Sequence, residues 1–598
     1  MSTVKLACAL LAAAALVDAS FALAGGAEDD HAKSIMESHN PAGMPAQPCG
    51  GHKHHIEALD SGLRAAAAEA AAQPTKPPPL WDNLGSLTWK VTTKSDTAQR
   101  YFDQGLRLAY AFNHGEARRA FRAAEAADPG CAMCYWGEAL VLGSNINYPM
   151  QPSAVEPAFA ASAKAQVLSA ATSPKEQALI RALAKRYSPD PAADRRALDA
   201  AYADAMAAVA TSFADDDNIQ TLLAESLMDL SPWDYWQADA RTPKGRTAEV
   251  ITALETVLSR NPNHPGAIHY YIHVVEASTT PQRAEPYAER LGTLMPGAGH
   301  LVHMPTHISI RLGHYKDSLA TNVAAVKADE AYFAQLDAQG LKAEPIYRYG
   351  YYPHNVHFVL VSAQMGGDGA QAIAAVEKLQ HAISDDFAQE VGWVQPIKAA
   401  PYYVHAQFSS PETILALPEP PADFPFVRAS WHYARAIADV SRGDLAAARA
   451  EDAKLADLAA HGDFAMLKTW GVPAADVISI ARSVVAGRIA TAEGRQADAI
   501  VAFQQAVATQ DQLPYMEPPF WYYPVRQSLA AAELAAGRTD DAIETFRASL
   551  ANTPNNAYAL YGLAEALKRK SHGAEAEIIE ARFRAAWLGS RAPDLKAL

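Results

Sequence analysis

Six histidines crowd into one stretch of the chain, Pro262 to Gly313: His264, His269, His273, His300, His303 and His307. Two pairs among them, His269 with His273 and His303 with His307, have the spacing of a chelate, because side chains four residues apart share one face of a helix. A shift of thirty-four residues carries Pro262 onto Pro296, His269 onto His303 and His273 onto His307. Such a recurrence predicts a repeated unit whose copies stack, so the two pairs are expected on neighbouring helices, converging on one ion. Imidazole suits copper, zinc, iron or nickel. Copper or zinc is the expected cofactor, with iron as the alternative, and Glu225 or Glu276 among the donors would favour iron or zinc over Cu(I).

His300, His354 and His357 fall on the same stripe once the following helix is aligned, and they are expected to serve a second ion or to orient the ligands of the first. An ion with an open coordination position would activate water or do redox chemistry, with Glu225 or Glu276 as candidate general base. The glutamate of a HExxH peptidase helix is missing, since Tyr270, Tyr271 and Ile272 lie between the first pair. The competing expectation is that these imidazoles bond to backbone or to Tyr270, Tyr271, Tyr351 and Tyr352. One histidine alone would be read that way; seven on one stripe of three helices point to metal. His114, His405 and His432 lie outside the stripe or at a packing position and are read as packing residues.

The elements that must position these groups are helices. YFDQGLRLAYAFNHGEARRAFRAAEAADPG places Gly105, Ala117, Phe121, Ala124 and Pro129 as small, small, large, small and terminating residues of a helix pair. Small residues let the two helices approach, the aromatic fills the gap, and proline stops the second helix. Further pairs are read at DNIQTLLAESLMDL with TAEVITALETVLSR, at PHNVHFVLVSAQMGGDGAQAIAAVEKLQ, and with turns at Gly443, Gly494 and Gly537. Two loops, SPWDYW from Ser231 and EPPFWYYP from Glu517, are more aromatic than a spacer requires. They are expected either to close over the groove or to cap irregular repeats.

The period and this pattern resemble the tetratricopeptide repeat family. The resemblance implies an all-α, right-handed helical solenoid with inserted loops, in which positions 2, 5, 9 and 12 of each first helix line the concave face. His269 and His273 then take positions 5 and 9 of one helix, and His300, His303 and His307 positions 2, 5 and 9 of the next. His354 and His357 take positions 2 and 5 of the third. Glu276 takes position 12 beside His273, and Glu225 position 9 of the preceding helix. Across about residues 85–590 the chain is similar to secreted bacterial multi-repeat proteins that share FNHGEARRAF, CAMCYWGEAL, HPGAIHYYIH and GHLVHMPTHI. That likeness implies a fold and a histidine-rich site rather than a reaction.

Residues 1–24 have the form of a signal peptide: Lys5, the apolar run Leu6–Val17 and Ala22-Leu23-Ala24. A periplasmic or secreted protein is therefore expected. Residues 25–80 read as an arm rich in His and Met followed by a proline-rich linker, able to bind copper or zinc weakly. Repeats are expected over 81–310, over 311–430 with insertions, and over 431–598. Cys131 and Cys134 are read as a local disulfide or plain helix packing, with a metal or redox role as the alternative. A net charge of −15 without a basic patch argues against nucleic acid, and no apolar run after the leader is long enough to span a membrane.

Three functions follow as expectations: a metal-binding solenoid that is either a metalloenzyme or a metal-handling protein; a scaffold holding a protein or peptide in its groove; and a groove whose clustered imidazoles respond to pH.

Overall fold

The computed structural model describes residues 77–595 and 598. The signal peptide and nearly all of the His/Met arm lie outside them. Among the described residues the chain runs as antiparallel helix pairs with no strand longer than an isolated bridge. The right side chains are in place for this. In the first pair, Asp96–Tyr110 and His114–Ala127, Ser95 and Asn113 cap the helix starts by accepting from Ala98 N and Glu116 N. Phe121 on the second helix is buried against Gly105 of the first and Gly137 of the next, Ala132–Val141.

Later pairs repeat that device, with Gly487 on Phe503 and Gly562 on Phe546. Their turns use glycine where the backbone needs it: Gly494 and Gly537 have φ of 74° and 78°, a region that side-chain-bearing residues avoid. A methyl on Gly137 would sit 2.3 Å from a ring carbon of Phe121, whose far side already meets Gly105. Gly137→Ala gains helix propensity but strains a ring that cannot retreat. The expected net is a loss of about 1–3 kcal/mol, read as a lower urea midpoint; a midpoint unchanged or raised would contradict this packing.

The interior holds three large apolar clusters and a small fourth one of Ile414, Ala434 and Ala438. One extends from Leu84 to Tyr351, a second from Ile310 to Ala532, and a third from Ala530 to Leu598. The helix Tyr315–Asp337 packs on Tyr352–Gly366 across the inserted segment. That segment, IYRYGYY, forms a π-helical turn, Tyr347–Tyr351, feeding directly into the helix that carries His354. The histidine stretch lies at the seam between the first two clusters. No helix among the described residues is long and apolar enough to cross a membrane. Cys131 and Cys134 form a disulfide at the start of Ala132–Val141, where Cys131 also caps the helix.

Candidate metal centre

Three short helices deliver the imidazoles. Pro265–Val275 carries His269 and His273. The next begins as Gly299–His303 and resumes as Pro305–Arg311, broken at Met304 because Pro305 has no N–H to continue the ladder. The break leaves His303 and His307 on one side. Close backbone approach is enforced by glycine: a Cβ on Gly266 would meet the ring of Tyr110 at 2.6 Å, and one on Gly299 would meet the Asp329 carboxylate at 2.0 Å.

The histidines gather in two groups of three. His269, His273 and His300 form one, His303, His307 and His354 the other, with the ligand atoms of each group within 4.8 Å of one another. The spacing suggested one four-imidazole site; the structure instead recruits a third ring to each pair from the start of the following helix. The repeat explains this. In each group, positions 5 and 9 of one helix meet position 2 of the next, and position 2 of the first helix is Gly266, which has no side chain to offer. His357 joins neither group. It is buried against Tyr522 (ring centroids 5.8 Å) and neither of its ring nitrogens has a hydrogen-bond partner.

In four of the six rings a hydrogen bond at the far nitrogen fixes which edge points inward; His300 Nδ1 has no such partner. His269 Nδ1 lies 2.7 Å from the Tyr110 carbonyl oxygen, and His273 Nδ1 lies 3.0 Å from Glu276 Oε1. His307 Nδ1 lies 2.6 Å from Glu276 Oε2. His303 Nδ1 lies 2.6 Å from Asn322 Oδ1, whose amide nitrogen donates to the Ser318 carbonyl. Carbonyl and carboxylate oxygens only accept, so each Nδ1 carries the proton and the neutral ring directs a bare Nε2 lone pair inward.

Those Nε2 atoms meet each other. His269 and His273 approach at 3.1 Å, His303 and His307 at 2.9 Å, and His300 Nε2 stands 3.1 Å from that of His269. Lone pair facing lone pair is repulsive unless a cation lies between them. Burial holds the His269, His273, His300, His303 and His354 rings below the ordinary imidazole range, so the proton is a poor cation here. His307 alone is raised, by the Glu276 carboxylate, which is itself held at about 2 by the two imidazoles despite burial.

Glu276 thus touches both groups at once. Both oxygens are engaged by imidazole N–H, with the Tyr515 hydroxyl 3.5 Å from Oε2, so it orients ligands and is not free to take a substrate proton. Glu225, the other candidate base, lies in a buried ionic cluster with Arg186, Asp229 and Asp199 rather than at the imidazoles.

Each group also has its own phenylalanine. Phe112 contacts the rings of His269, His273 and His300 at 4.4, 5.9 and 5.5 Å, and Phe358 contacts those of His303, His307 and His354 at 4.6, 5.0 and 4.8 Å. Trp233 of the first aromatic loop meets the His273 ring edge-on at 5.0 Å, and Tyr515, two residues before the second, reaches Glu276. Arg311 lies over the Tyr515 ring at 5.0 Å, beside Glu517, whose carboxyl burial pushes up to about 7.

Sequence reasoning missed Phe112, Phe358, Asn322 and the Tyr110 carbonyl. Phe358 had a signal, four residues after His354 on the same face. Phe112 sits in a turn with φ of 55°, and nothing in spacing marks it. His114, His405 and His432 have ordinary partners outside the centre: Asn145, Ser409 and Glu451.

Comparison with known proteins agrees with the helix pairing. Residues 524–566 match the tetratricopeptide repeat family model. That segment holds the helices Val525–Ala535 and Thr539–Asn552 and most of the next, and the described residues as a whole form an all-α fold of tetratricopeptide type. No curated protein matches the chain. Similar solved structures include the human IFIT1 dimer with m7Gppp-AAAA, at 11% identity, covering 89% of this chain and 95% of that one with a TM-score of 0.27. Yeast Tom70 is 10% identical, covering 93% and 99%, with a TM-score of 0.26. At these scores neither likeness bears on what this chain binds.

Proposed function

We propose that the protein is a tetratricopeptide solenoid that holds two transition-metal ions, one in each group of three imidazoles. The observation that carries this reading is the inward convergence of Nε2 lone pairs whose Nδ1 protons are committed elsewhere. A metal ligand histidine typically has such a partner on its other nitrogen, because that bond fixes the tautomer and raises ring basicity. Three imidazoles leave a coordination position open, the arrangement of a reactive rather than a structural ion. Copper, zinc and iron all accept imidazole. A periplasmic or secreted location, with the His/Met arm delivering metal, accords with the sequence.

Elemental analysis of the mature protein, purified without an affinity tag, tests the reading. About two equivalents of metal per chain are expected, falling to about one in His273→Ala and to none in His269→Ala/His303→Ala, with the far-ultraviolet circular dichroism unchanged. No metal after reconstitution of the folded protein would overturn it.

A second reading, a scaffold for an extended peptide, has separate support in a groove of ≈ 1470 Å³ lined by Tyr403, Tyr433, Arg488, Tyr523 and Tyr558. Metal-free protein should then retain its partner. Loss of partner binding on chelation would tie the groove to the ions.

A further inference from the structure

The donor set and its surroundings narrow the metal and its ligand. All six candidate donors are imidazole nitrogens. No carboxylate belongs to either group: both oxygens of Glu276 accept from imidazole N–H, and Glu517, which shares the cavity at His354, stands outside them. A pair of divalent ions would bring four positive charges into a buried site where Glu276 bonds the ligand rings, while Glu517 and the Arg311 guanidinium offset each other close by. Buried charge so poorly matched is costly. Two monovalent ions would bring two positive charges instead of four against the same Glu276 carboxylate. Among metals that accept imidazole, copper has a stable monovalent state and also stands at the top of the divalent affinity order.

The groups are also placed to act together. His273 of one and His307 of the other have ring centroids 5.6 Å apart, and His300 and His303 are 5.9 Å apart. Glu276 is bonded to one ring of each, so a change of charge at either ion is felt at the other. Five of the six rings are almost fully buried, His354 being the exception. The cavity beside the second group, which His354 alone of the six rings lines together with Met516, Glu517 and Tyr522, measures ≈ 20 Å³, space for a particle of water's size.

The geometry points to a paired copper centre that binds dioxygen between its two ions. This inference rests on the two-ion reading above and adds the metal and the ligand. The electron count closes without another reactant: two Cu(I) ions each give one electron, and one dioxygen is reduced by two electrons to the peroxide level, held by two Cu(II). No bond in the protein is made or broken, and removal of dioxygen returns both electrons to copper.

The test uses the full mature chain, stripped of metal, loaded with Cu(I) under anaerobic conditions, and then exposed to dioxygen. Expected are two copper ions bound per chain and one dioxygen taken up per two copper ions. The X-ray absorption edge should move to Cu(II) with no Cu(II) electron paramagnetic resonance signal, because the two spins are paired. His300→Ala and His354→Ala should each keep the fold, retain one copper and lose dioxygen uptake. Two copper ions that stay Cu(I) in dioxygen, or that oxidise to give an ordinary Cu(II) signal, would overturn the dioxygen centre and leave the two-ion reading standing. So would a protein that keeps two zinc ions and refuses copper. Failure of the folded chain to take up any metal would instead overturn the two-ion reading itself.

Discussion

Glu276→Gln lowers the affinity for both metal ions together, by about 10–100-fold, while the fold is retained. The carboxylate accepts from His273 Nδ1 and His307 Nδ1, one from each group, and it is fully buried. An amide keeps the volume but has one accepting oxygen, so one of the two imidazole N–H groups is left facing an NH₂. Both groups lose the negative charge that offsets the ions; the one facing the NH₂ also loses its ring orientation and should suffer more. Titration against a competing chelator measures each affinity, and circular dichroism confirms that the helices persist. Unchanged affinity at both ions would remove Glu276 from the centre. Its equivalent one repeat later is Ile310, so the second pair has no carboxylate of its own at this repeat position.

The second large effect concerns stability. Arg186 is fully buried, with Nη2 2.6 Å from Asp229 Oδ2, Nε 3.2 Å from Asp199 Oδ1 and Nη1 4.0 Å from Glu225 Oε1. Burial already pushes the Asp229 and Glu225 carboxyls upward against the pull of that cation. Arg186→Met strands the acids without a counter-charge, and the expected cost is about 3–5 kcal/mol, as for breaking a buried ion pair from one side. Thermal unfolding should show a clearly lower midpoint, with metal content still near two per chain below it. A fall in metal content in the folded variant would return Glu225 to the centre as a working residue. The sequence alone could not make this distinction, since Glu225 has the register of a groove residue and only its neighbours show what it bonds.

The same contrast runs through the histidines. Pairs at i and i+4 were legible because helix geometry places them together whatever the helix packs against. His300 and His354 were on the right stripe, yet nothing in their spacing said which pair each would join. A ring at the start of one helix can lean toward the helix before it or stay with its own. The choice depends on how successive helices are rotated and how far they approach, which Gly266 and Gly299 set through contacts with Tyr110 and Asp329. His357 shows the opposite outcome, with the right register but a ring turned toward Tyr522.

By itself, then, the sequence determined that the chain is a stack of helix pairs, and that two chelating histidine pairs recur at the repeat period. Those are local properties, set by side-chain size, capping and the 3.6-residue turn. Tertiary structure decided that the histidines form two groups of three rather than one of four, and that Glu276 serves both. It also brought Phe112 and Phe358 from different apolar clusters onto them and laid a loop some 240 residues distant over the carboxylate through Tyr515. Contacts of that range are set by the path of the whole solenoid and its insertions, which no spacing within one repeat encodes.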